Sequence, residues 1–95
     1  MIRAARKDAN HKEVVSAMEK IGASVIDLWQ VKNAFDVLAL YRGKAFIIEI
    51  KDGAKPPSAR KLTEGEIKCK NKVERAGVDY HIIKSVQEAI DLITK

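Results

Sequence analysis

Apolar residues recur along this chain in two periods, and the switches between them mark out its elements. Val14, Met18 and Ile21, with Val15 and Ala17 alongside, follow the spacing of a helix face, and Gly22 ends the run. Asn10 and Glu13 stand ahead of it at the spacing of a capping box. Residues 23–30, ASVIDLWQ, predict a first strand, followed by a turn at Lys32-Asn33. The stretch FDVLALYRGKAFIIEIKDG, residues 35–53, predicts two more strands around an Arg42-Gly43 turn. Gly53, Pro56 and Pro57 make residues 51–61 a loop. Thr63 and Glu66 form a second capping box, opening a helix that runs to Ala76 and stops at Gly77. Residues 78–83 predict a fourth strand. Ser85 and Glu88 open a last helix with Val86, Ala89, Ile90 and Ile93 on its apolar side. The order α-β-β-β-α-β-α predicts one α/β domain over residues 1–95, with helices packed on a mixed sheet.

Composition fits that reading: of 95 residues, 46% are hydrophobic, enough for a single core. No apolar run approaches the ~18–20 residues that span a bilayer. The charged N-terminus MIRAARKDANHKE lacks the apolar stretch of a signal peptide, and the lone Cys69 has no partner for a disulfide or a zinc site. These features predict a cytoplasmic protein with no membrane partner. The formal net charge is +5, and Lys51, Lys55, Arg60, Lys61, Lys68, Lys70, Lys72 and Arg75 crowd into the stretch after the hairpin. Such clustering points to a phosphate-bearing partner, with Lys55, Arg60, Lys61, Lys68 and Lys72 as candidate DNA contacts. There is no Gly-rich phosphate loop and no Walker lysine, which argues against a nucleotide cofactor. Ser58 has no His or Asp arrangement nearby to make it a nucleophile.

The hairpin carries the unusual chemistry. Asp36 stands near the start of its first strand, and Glu49 and Lys51 near the end of its second. Strand side chains alternate, so Glu49 and Lys51 share a face that Ile48 and Ile50 do not. A two- or four-residue loop brings Asp36 opposite Glu49, whereas a three-residue bulged loop places it opposite Ile48; Arg-Gly suits the bulged form well. Opposed like charges on a sheet cost up to ~1 kcal/mol, and burial makes the conflict worse. A divalent cation removes it. Mg²⁺ takes oxygen ligands and is typically held by one or two carboxylates plus substrate phosphate. Lys51 then stands where it steadies charge on a scissile phosphate or orients the attacking water. The bland alternative is a solvent-facing edge strand whose acids close salt bridges.

An acid on one strand, E-x-K on the next and a helix on each side resembles the PD-(D/E)xK nuclease superfamily. DANHKEVV, Gly22-Ala-Ser-Val25, the hairpin stretch, KPPSARKLTEGE and IIKSVQEAI together resemble the stand-alone VRR-NUC proteins of phages and bacteria. The resemblance covers nearly the whole chain. It implies a restriction-endonuclease-like, Holliday junction resolvase-like core and a Mg²⁺- or Mn²⁺-dependent DNA endonuclease. It further implies branched DNA as substrate, a homodimer, and a setting in a bacterial or phage-infected cell. Asp36, Glu49 and Lys51 match the motif, although Phe35 stands where the family usually has Pro. The Ile50 carbonyl is a further candidate metal donor. Glu66 matches an acid or amide near the start of the following helix; the Thr63 box competes for it, and one carboxylate serves both only by moving. An extra acid expected on the first helix falls on Glu13 or His11, and the Asn10 box competes for Glu13. The alternative from another class is a non-catalytic basic DNA-binding module; a third is a protein-interaction domain.

Overall fold

A computed structural model of the chain describes residues 8–95. The residues before Asp8, which carry part of the no-leader expectation, lie outside the described residues. Helix α1 (His11–Lys20) leads into β1 (Ser24–Asp27), β2 (Val37–Tyr41) and β3 (Lys44–Ile50). A 3-10 turn (Pro57–Arg60), α2 (Glu64–Arg75), β4 (Tyr80–Ile83) and α3 (Val86–Thr94) complete the chain. The sheet order is β1-β2-β3-β4, antiparallel except for the parallel β3–β4 pair, so β3 is an inner strand. The expected α/β order and mixed sheet are both present. Among the described residues no helix is long and apolar enough to cross a membrane.

Both outer strands are shorter than the apolar runs that predict them. After Asp27 the chain turns, with Leu28 N–H donating to Asp36 O at 2.7 Å. Before β4, Val78 N–H is committed to Val73 O and Gly77 N–H to Glu74 O, closing α2 through Gly77, whose φ is +83°. That pair of C-terminal bonds needs the left-handed conformation glycine adopts without steric cost.

The hairpin turn has two residues. Arg42 and Gly43 have φ of 50° and 79°, the left-handed pair of a type I′ turn, and Tyr41 pairs with Lys44. Pairing continues to Val37 opposite Ile48, which places Val37, Ala39, Ile48 and Ile50 on one buried face. Val14 and Met18 of α1 and Ala89 and Ile93 of α3 pack onto them. Each large apolar side chain buried there contributes about 1.5–3 kcal/mol.

The three capping boxes turn out differently. Thr63 and Glu66 form a complete reciprocal box at α2. Ser85 Oγ accepts from Glu88 N–H, but Glu88 reaches Lys84 N–H rather than the cap. Asn10 makes no side-chain cap at all. Its amide donates instead to Lys51 O at 3.1 Å and Lys84 O at 3.2 Å, tying the start of α1 to the ends of β3 and β4.

Candidate active site

Because Ile48 and Ile50 enter the core, alternation sends Glu49 and Lys51 to the opposite face, beneath α2. Asp36 joins them from just before β2. Its N–H donates to Ile48 O, and its Oδ2 accepts from Ile50 N–H at 2.8 Å, where a regular ladder would use a main-chain carbonyl. The two-residue turn thus delivers Asp36 to Glu49. All three residues are buried, with exposures of 4% for Asp36, 1% for Glu49 and 8% for Lys51.

Lys51 Nζ lies 2.8 Å from Glu66 Oε1 and 3.9 Å from Glu49 Oε2. The same Glu66 oxygen also accepts from Thr63 N–H at 2.8 Å. The cap acceptor and the lysine partner are therefore one and the same oxygen. On the far side of Glu49, Tyr80 OH donates to Oε1 at 3.2 Å.

The electrostatics follow from this crowding. Burial, with the Glu66 and Asp36 carboxyls flanking it at hydrogen-bond range, pushes Glu49 up to about 10. Burial would raise Glu66 as well, but hydrogen bonds from Glu49, Lys51 and Thr63 N–H outweigh it and hold Glu66 at about 2. One proton thus resides on Glu49 while Glu66 stays ionised. Burial disfavours the Lys51 cation, yet Glu66 and Glu49 more than offset it and its pKa is raised. Cys69, on α2, is pushed up by burial and by Glu49 and Glu66.

The other predicted residues lie elsewhere. His11 is 1% exposed, and its Nε2 sits 3.0 and 3.1 Å from the two Asp27 oxygens. A carboxylate only accepts, so Nε2 carries the hydrogen. Asp27 pairs with Val37 and shares its face, which puts His11 across the sheet from Glu49. His11 is therefore no companion ligand for these acids. Glu13 opens instead into a cleft of about 390 Å³ shared with Asn10, Asp52, Arg60, Lys84 and Glu88. Neither fills the place of a first-helix acid beside Asp36. Lys61, Lys68 and Lys72 are exposed, and Lys68 reaches Glu64 at 3.9 Å on its own helix. Lys55 lies 3.7 Å from Asp8. Arg60 is half-buried and its Nε has no partner.

Two residues at the site have no signal in the sequence pattern. Tyr80 reads as a strand aromatic until the parallel β3–β4 pairing brings it beside Glu49. Asp8 sits before α1, its carbonyl accepting from His11 N–H. Burial raises Asp8, Lys51 and Lys55 lower it, and Asp36 and Asp52 raise it again. The acid contributed from the start of α1 to this neighbourhood is thus Asp8.

Among the described residues, no group of three or more His, Cys, Asp and Glu side chains is arranged to hold a metal ion. Glu66 is occupied by Lys51 and its own cap, which leaves Asp36 and Glu49 as the donor pair. That pair suits a hard divalent cation: both donors are carboxylates, and the buried Glu49 retains a proton that a cation would replace.

No protein-family model matches this sequence, and no curated protein sequence matches it. Among solved structures, one described as a VRR_NUC domain superposes over 87% of this chain and 88% of its own, with a TM-score of 0.62 and 21% identity. This chain has the VRR-NUC fold. At that identity the shared property is the architecture. In the VRR-NUC fold found here, the antiparallel hairpin, the following parallel strand and the α2 crossing are the parts that assemble Asp36, Glu49, Lys51 and Glu66.

Proposed function

We propose that this protein is a VRR-NUC-type, Mg²⁺- or Mn²⁺-dependent nuclease that hydrolyses phosphodiester bonds in DNA, branched DNA by preference. The observation that supports it is the buried juxtaposition of Asp36, Glu49 and Lys51 at the end of an inner hairpin in this fold. Asp36 and Glu49 would hold the cation, with the Ile50 carbonyl as main-chain donor. When bound, the cation supplies Lewis-acid polarisation of the phosphate and activation of the attacking water. Lys51 stands to neutralise charge developing on the phosphate, and Glu66 keeps its ammonium in place. Lys55, Arg60, Lys61, Lys68 and Lys72 supply phosphate contacts whose strength rises as salt falls.

The test is incubation with a four-way junction, a flap and a plain duplex, in Mg²⁺, Mn²⁺ or EDTA. Cleavage is expected with metal only, to be fastest on a branched substrate, and to vanish in Asp36→Asn. Salt-sensitive binding without cleavage under any condition would instead favour the basic DNA-binding module. No binding even at low salt would sink both.

A homodimer completes the proposal. Ile26, Leu38 and Ile47 form a continuous row across β1, β2 and β3, with Leu40 and Ala45 beside it, on the face away from α1 and α3. Ile26 is 48% exposed and Leu40 36%, and this uncharged surface offers phosphate nothing. A second copy meeting it face to face would bury like against like. Leu40→Lys is expected to convert the dimer to a monomer in light scattering; an unchanged mass would place the interface elsewhere.

A further inference from the structure

Tyr80 is a polar side chain in a position that packing alone would fill with phenylalanine. It is 8% exposed, and its ring belongs to β4 beneath α2. The parallel register pairs Ile47 with Tyr80 and Glu49 with Ile82, so Tyr80 and Glu49 are diagonal neighbours on one face. Its hydroxyl donates to Glu49 Oε1 at 3.2 Å. Lys51, the nearest cation described for Glu49, stands 3.9 Å from Oε2 and is directed at Glu66 instead. A phenol with its hydroxyl turned into a buried carboxylate costs desolvation unless that hydrogen bond is made.

The geometry points to Tyr80 as a positioning residue. Its hydroxyl fixes one Glu49 oxygen and so presents the other, Oε2, towards the cation that Asp36 and Glu49 would share. This rests on the nuclease reading and adds to it a residue that touches neither substrate nor cation. Tyr80 acts through Glu49 alone. It restricts the carboxylate to one rotamer, and orienting partners of this kind are worth ten- to a hundredfold in metal affinity.

The test is Mn²⁺ binding by calorimetry on the protein without DNA, in the parent and in Tyr80→Phe, which keeps the ring and loses only the hydroxyl. Affinity is expected to fall ten- to a hundredfold. The Mn²⁺ concentration giving half-maximal cleavage should rise in step, while the rate at saturating Mn²⁺ stays close to the parent's. In a Glu49→Gln background, Tyr80→Phe should have no further effect, because the two act as one unit. A Tyr80→Phe affinity within twofold of the parent overturns the proposal even if the variant is less stable. A second measurement needs no change at Tyr80: Ca²⁺ added to Tyr41→Phe should perturb the ultraviolet absorption of the remaining tyrosine, and a flat difference spectrum counts against the role. A parent protein that binds no Mn²⁺ and cleaves no DNA overturns both this and the nuclease reading. Binding and cleavage that ignore Tyr80 remove only the present inference.

Discussion

Glu49→Gln is expected to abolish cleavage and, at the same time, to make the metal-free protein more stable at pH 7. Glu49 is raised from 4.5 to about 10 in the folded chain by burial and by the flanking Glu66 and Asp36 carboxyls. Between those values the folded state binds a proton that the unfolded state has released. Stability contributed by this site is therefore complete below about 4.5 and declines as pH rises towards about 10. Glu66 has the opposite sign: held at about 2, it contributes stability above its unfolded value of 4.5 and loses it as pH falls. Metal-free protein should consequently be most stable in mildly acidic solution. A glutamine at position 49 is isosteric with the neutral acid, accepting from Tyr80 and donating to Glu66 with no proton to lose. The gain at pH 7 is about 1–3 kcal/mol, and each kcal/mol raises the melting temperature by roughly 4–8 °C in a domain of this size. Melting curves from pH 4 to 9 check it. An equal or lower melting temperature for the variant at pH 7 would show that Glu49 is not held neutral. Divalent cations should stabilise the parent and leave Glu49→Gln unmoved.

The turn at Arg42-Gly43 shows how far the pattern of residues carries and where it stops. Arg-Gly reads equally well as two turn residues or as the end of a bulged three-residue loop, because arginine has no preference for the left-handed region. The choice is made by the core. With Val37 and Ala39 kept on the core, a one-residue slip of β3 would turn Ile48 and Ile50 outward and drive Ile47 and Glu49 inward, and no local gain at the turn offsets that. The strain of Arg42 at φ +50° is of order 1 kcal/mol, and its guanidinium lies over the Tyr41 ring at 5.0 Å. Helix ends with local determinants, such as Thr63–Glu66 and the glycines at 22 and 77, are legible because every partner lies within a few residues.

Long-range contacts explain the rest. Asn10 has the spacing of a cap, yet its amide binds carbonyls 41 and 74 residues away, and no local rule anticipates that. His11 and Glu13 are the chemically suitable residues in the expected segment. The tie from Asn10 to the Lys51 carbonyl instead brings Asp8, three residues ahead of the helix, towards the acids. Tyr80 is 31 residues from Glu49 and meets it only through parallel strand pairing. Asp36, Glu49 and Lys51 are legible as a group because they belong to one hairpin, where strict alternation and the pairing of adjacent strands act over short distances.

Lys51→Met is the variant with the second large expected effect, and it separates support from chemistry. Lys51 is buried and paired at 2.8 Å with a Glu66 that stays ionised. Removing the amine strands that charge in a dry site, which costs about 3–5 kcal/mol. On the proposed function it would also remove the cation facing the reacting phosphate, with an expected loss of about 10²–10³ in rate. A slow, unstable Lys51→Met protein alone would fit either a catalytic lysine or a mere strut. Adding Glu66→Gln resolves the ambiguity. The amide oxygen still accepts from Thr63 N–H and preserves the α2 cap, while the stranded charge is gone, so most of the lost stability should return. Cleavage should not return, because no cation has been restored. Urea unfolding and single-turnover cleavage of the same three proteins give the answer. A double variant that regained rate together with stability would show that Lys51 only holds α2 in place.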